Sequence, residues 1–150
     1  MTEEQILGAL LWSVWHNDLP DDLIYLADTL SEAYQASLEG YLEIMVRMTQ
    51  GCKKHPGVRP DLIFLLKDEI QDTMKEQGAK FEDLLTPQRL IGALIWVAWN
   101  NQLPDELVSL AQDLPKDNLT RIIKTNEIDP ASKPHMIKNL KEEIKKIMKR

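Results

Sequence analysis

The chain has 150 residues, 43% hydrophobic and 28% charged, with a formal net charge of −6. That composition is globular rather than disordered, and the length suits one domain or two very small ones. The longest apolar run, Leu90–Trp99, has ten residues, about half of what a membrane span needs, and an acidic protein repels a phosphate backbone.

The first predicted helix runs from about Thr2 to His16, with Thr2 as its N-cap. Ile6, Leu7, Ala9, Leu10, Leu11, Trp12, Val14 and Trp15 leave it no polar stripe. A helix that is apolar on every side is expected to be buried on every side. A corner follows, Trp-His-Asn-Asp-Leu-Pro-Asp-Asp-Leu. Asn17 can take the left-handed conformation that ends a helix, Pro20 suits the first turn of the next, and Asp21 and Asp22 suit its positive end. The second helix is short. A third, capped by Ser31, is expected to reach Gln50, and the loop Gly51–Pro60 follows. The fourth begins at Pro60, with apolar Leu62, Ile63, Leu66, Ile70 and Met74 at helical spacing.

The chain then repeats itself. Residues Leu90–Leu114 match Ile6–Leu30 at an offset of 84, with 13 of 25 positions identical and Ile/Leu/Val or Asp/Glu exchanges among the rest. Lys133–Lys149 matches Arg59–Lys75 at an offset of 74, with 8 of 17 identical. We therefore read a tandem duplication of a four-helix unit, about eight helices in all, sharing one core with pseudo-twofold symmetry. The alternative is a short α-solenoid of helix pairs. Repeat 1 covers residues 1–77, a linker 78–85, and repeat 2 residues 86–150. The change of offset, 84 − 74, leaves repeat 2 ten residues shorter, and its third helix is the expected place. Gly8 and Gly92 fall mid-helix, where glycine costs about 1 kcal/mol relative to alanine. Their recurrence suggests that the two opening helices cross closely there.

Chemistry-bearing residues are sparse. Adjacent carboxylates such as Asp68/Glu69 splay apart on a helix rather than converging. His16, His55 and His135 have no histidine in the other repeat, and no metal-ligand spacing occurs. Single Cys52 excludes a disulfide framework, and Lys53, Lys54 and His55 beside it could activate a thiol. There is no glycine-rich phosphate loop and no nucleophile elbow. Trp12/Trp15 and Trp96/Trp99 read first as core, and second as the walls of a small-ligand pocket.

Charge is uneven. The first 50 residues carry nine acids and one base, whereas Lys133–Arg150 carries seven bases and two acids. We expect a non-enzymatic protein-interaction module, a small regulatory or inhibitory binding protein with no cofactor and no metal. Its candidate partner-binding residues are Tyr41, Lys53, Lys54 and His55 in repeat 1, and Lys138, Lys141, Lys145, Lys146, Lys149 and Arg150 in the C-terminal helix. The partner is another protein. Nucleic acid bound by the basic helix is the alternative, and a small-ligand binder or enzyme using the tryptophans the second alternative. No membrane association is expected, and the chain is a monomer or homodimer. The acidic start, MTEEQ, is unlike an export signal, so a cytoplasmic setting is expected.

Overall fold

Glu3–Trp15 (α1) and Pro87–Trp99 (α6) form the centre of the molecule and share its most extensive helix contact. Around them lie α2 (Asp21–Asp28), α3 (Glu32–Ser37), α4 (Tyr41–Cys52), α5 (Arg59–Gln77), α7 (Asp105–Ala111) and α8 (Lys133–Met148). Short 3-10 turns cover Pro56–Val58 and Phe81–Leu84. This computed structural model describes residues 2–38, 40–52, 56–114 and 133–148, and among them the fold is entirely helical. None of the described helices is long and apolar enough to cross a membrane. Residues 115–132, where the third helix of repeat 2 and its shortening are expected, lie outside the described residues.

Local chemistry sets the helix ends. The Thr2 hydroxyl accepts from the Gln5 backbone N–H (3.2 Å) while the Gln5 side chain accepts from Thr2 N (3.0 Å), a reciprocal cap. Thr86 holds the same place before α6 but its side chain makes no capping bond. The residue three on is Arg89, a donor with no acceptor to offer, so the reciprocal bond has no chemistry. Pro20 and Pro104 stand one residue ahead of the expected first turn, as the N-cap positions of α2 and α7. The expected third helix of repeat 1 is two helices. α3 stops at Ser37, and Gly40, with φ of +59°, starts α4 on a new axis.

α1 and α6 cross at their glycines. A Cβ built on Gly8 would stand 1.9 Å from the backbone oxygen of Arg89, and one on Gly92 would stand 1.9 Å from that of Gln5. Only a hydrogen at each Cα permits this approach. The arrangement is reciprocal in number: 8 + 84 is 92 and 5 + 84 is 89.

Leu7, Leu10, Leu11, Leu94 and Ala98 are buried around the crossing, joined by Leu23 and Leu107 from α2 and α7. Leu62, Leu66 and Ile70 of α5 and Met136, Leu140 and Ile144 of α8 close the core from outside. The segment between α5 and α6 is packed too: Phe81, Leu84 and Leu85 are buried. Burial of the opening helices on every side, expected from their composition, fails at one end. Trp15 is only partly buried and Trp99 is 41% exposed. Both are the last residue of their helix, beyond the reach of the crossing.

Candidate functional site

The polar corners after α1 and α6 share one construction. Asn17 (φ 59°) and Asn101 (φ 62°) are left-handed. The next residue returns a backbone bond five residues back, Asp18 N to Ser13 O and Gln102 N to Val97 O, both 2.8 Å, which closes each helix end. His16 Nδ1 lies 2.9 Å from the Trp12 oxygen, and Asn100 Nδ2 donates to the Trp96 oxygen at 2.8 Å. A carbonyl can only accept, so His16 carries its proton on Nδ1. The imidazole also stacks on Trp12, with centroids 4.1 Å apart.

Each corner is held by a lysine from the outer helix. Lys67 donates to Asn17 Oδ1 (3.0 Å) and lies 5.5 Å from the Trp15 ring centre. Lys141 donates to Asn101 Oδ1 (2.7 Å) and lies 5.7 Å from that of Trp99. These are cation–π distances. Lys141, singled out in the sequence as a partner-binding base, thus has a structural task within its own chain.

The other predicted site residues divide. Lys138 and Lys145 are exposed on α8, and Lys146 reaches Glu143 at 3.3 Å. Tyr41 is half-buried, and its hydroxyl meets Arg89. That arginine binds Glu4 Oε1 (2.6 Å) and the Leu84 oxygen (3.0 Å), and Glu4 in turn accepts from the Tyr34 hydroxyl. Burial first, then the hydrogen bond to Glu4, pushes the Tyr34 hydroxyl well above its usual range. Burial likewise raises Tyr41, with Arg89 opposing. The cluster ties α1, α3 and α4 to α6. Lys53, Lys54, His55, Lys149 and Arg150 lie outside the described residues. The structure brings Tyr41 and the α8 lysines into no common site.

Three clefts among the described residues carry aromatic or charged walls near the two corners. One, about 620 Å³, runs along α5 from Asn17 and Pro20 to Gln71, with Arg59, Phe64 and Lys67 in its walls. A second, about 390 Å³, lies between Trp12 and Trp96, with Ser13, His16, Asp18, Asn100 and Gln102 around it. The third, about 290 Å³, is the most apolar. It opens between α2 (Asp22, Tyr25, Leu26), α6 (Ile95, Trp96, Trp99) and α8 (Ile144). Among the described residues no group of His, Cys, Asp and Glu could hold a metal ion.

Comparison with protein families, curated proteins and solved structures finds no match to this chain. The third cleft then stands on its own chemistry. It combines Tyr25 (58% exposed) and Trp99, two large aromatics at one solvent-facing edge. Tyr25 escaped the sequence reading. The signal available was its replacement by Ser109 in the otherwise matching repeat.

Proposed function

We propose that this chain is a non-enzymatic protein-interaction module, made of two copies of one helical unit about a pseudo-twofold axis. Three pairings support the duplication: the repeat in the sequence, the reciprocal glycine contacts, and the matched lysine–asparagine–tryptophan corners. A stack of helix pairs in a solenoid would give α1 and α6 no reason to pack as the innermost pair. Repeat 1, residues 1–77, and repeat 2, residues 86–150, then share one core through the segment 78–85.

One observation carries the interaction reading: the exposed aromatic edge of Tyr25 and Trp99 over an apolar floor. Trp and Tyr are the residues that most often anchor protein interfaces. Lys141 and Lys145 of α8 border it and Asp22 lines its α2 wall, so acids of the partner are favoured on the α8 side. A regulatory or inhibitory role in a reducing cytoplasm fits a small module with one cysteine. Nucleic acid has less in its favour, because Glu142 and Glu143 share α8 with the lysines and Lys141 is engaged at Asn101.

A photo-crosslinking residue at position 25, introduced in the native host, tests this. A discrete adduct with a different protein, lost when the crosslinker is moved to the exposed position 69 of α5, is expected. Absence of any position-specific adduct sinks the reading.

A further inference from the structure

The two halves differ at one point that bears on function. In repeat 1, Phe81 from the segment after α5 lies flat on Trp15, with ring centroids 4.7 Å apart and planes within 8°. It also meets Trp12 at 6.4 Å and is buried. In the sequence repeat, Trp12 and Trp15 correspond to Trp96 and Trp99. Those two form the α6 wall of the open 290 Å³ cleft. The aliphatic lining corresponds as well, Leu26 to Leu110, Ile95 to Leu11 and Ile144 to Ile70, whereas Asp22 corresponds to Glu106 and Tyr25 to Ser109. One half thus carries an aromatic plug on its paired tryptophans, and in the other half Trp99 lies under Lys141 and stays 41% exposed. Between Asn100 and Arg150 there is no Phe, Trp or Tyr to do for Trp99 what Phe81 does for Trp15.

We propose that the Trp99 cleft receives an aromatic side chain from an acidic segment of a partner protein, in the manner of Phe81 on Trp15. This deepens the interaction reading above and rests on it. At about 290 Å³ the cleft stands at the lower end of small-molecule sites, about 300–1,000 Å³, with room for one aromatic ring. The internal example supplies the chemistry of the occupant. It reads Lys80-Phe81-Glu82-Asp83-Leu84, an aromatic followed by two acids and a leucine. Charge agrees with it. Ile144 in the cleft floor is flanked along α8 by Lys141 and Lys145, and Lys141 already lies over the Trp99 ring. The corresponding stretch of α5 is more acidic, with Asp72 where α8 has Lys146. Asp22 lines the α2 wall, so an acid placed after the aromatic meets a favourable field on the α8 side of the cleft, beside Lys141 and Lys145.

The experiment uses the intact chain and a peptide of its own residues 78–86, added in trans. The four indole N–H resonances are followed by NMR. We expect saturable movement of the Trp99 indole, at least tenfold weaker binding for the peptide with Phe81→Ala, and at least tenfold weaker binding by the Trp99→Leu chain. Trp99 is at the surface, so that variant keeps its fold. Lys145→Glu is expected to weaken the native peptide several-fold yet leave a Glu82→Gln, Asp83→Asn peptide nearly unaffected, and added salt acts in the same direction as Lys145→Glu. No movement of the Trp99 indole at millimolar peptide, or equal binding of the Phe81→Ala peptide, overturns the proposal. A Trp99 shift that grows with protein concentration alone and vanishes in Phe64→Ser places a second copy of the chain in the cleft, which also overturns it. A position-25 adduct without peptide binding removes this inference and leaves the interaction reading. Peptide binding without an adduct sinks the interaction reading and, with it, this inference.

Discussion

Gly8 and Arg89 meet backbone to backbone, and Gly92 and Gln5 repeat the contact on the far side of the crossing. Because the obstacle is backbone on both sides, no rotamer change can make room for a methyl group. Either glycine changed to alanine forces α1 and α6 apart along the whole core. Gly8→Ala and Gly92→Ala are each expected to cost about 3 kcal/mol or more, at the upper end of overpacking effects. Gly51, helical and exposed with nothing within 4 Å of its position, is the opposite case. Gly51→Ala is expected to stabilise by about 0.5–1 kcal/mol. Urea unfolding of the three variants checks the contrast in sign.

The tryptophans should separate in the same way. Trp96 is buried and Trp99 is not. Trp96→Ala is expected to cost about 3 kcal/mol or more and Trp99→Ala no more than about 1 kcal/mol. Acrylamide quenching provides a second measurement. Removing Trp99 should abolish most of the readily quenched emission, and removing Trp96 should leave it.

Phe81 is the covering of Trp15. Phe81→Ala is expected to destabilise by about 3 kcal/mol through the cavity left behind. It should also make Trp15 accessible to acrylamide, giving two quenchable tryptophans where the native chain has one dominant one.

Tyr34 predicts an alkaline limb. Its folded pKa is raised above the usual value near 10, mainly by burial and then by the bond to Glu4. A raised pKa means that the fold favours the neutral phenol. The contribution is complete below about pH 10 and is lost as pH climbs above that value. Tyr41 is displaced in the same direction. Stability measured from about pH 9 to 11 should therefore fall more steeply for the native chain than for Tyr34→Phe, which has no phenol to ionise.

Much of the fold is legible in the residues themselves. Thr2 announces the first cap, Asn17 the helix end, and Gly8 and Gly92 a close contact, because each is a local requirement of backbone geometry. The split of the third helix hid in Gly40: a lone glycine in an otherwise helical pattern looks tolerable until its φ is known. The candidate cleft was illegible for a different reason. Trp99 and Trp15 sit in nearly identical local sequence, and what distinguishes them is a residue 66 positions beyond Trp15, Phe81, arriving through tertiary structure. Periodicity reports what a segment would bury and has no access to whether the rest of the chain supplies the cover. Lys141 shows the same limit, since a base on a polar helix face reads as surface charge until Asn101 and Trp99 are found beneath it.

The α1–α6 pairing also dictates how the chain can be made. Matching positions in its two helices lie 84 residues apart in sequence, and a ribosome adding about 5–20 residues per second needs about 4–17 s to span that interval. For that time the apolar stretch of α1 has emerged without its mate. A cell producing this protein must shelter that stretch, and slowing translation between the two helices should raise the share lost to aggregates.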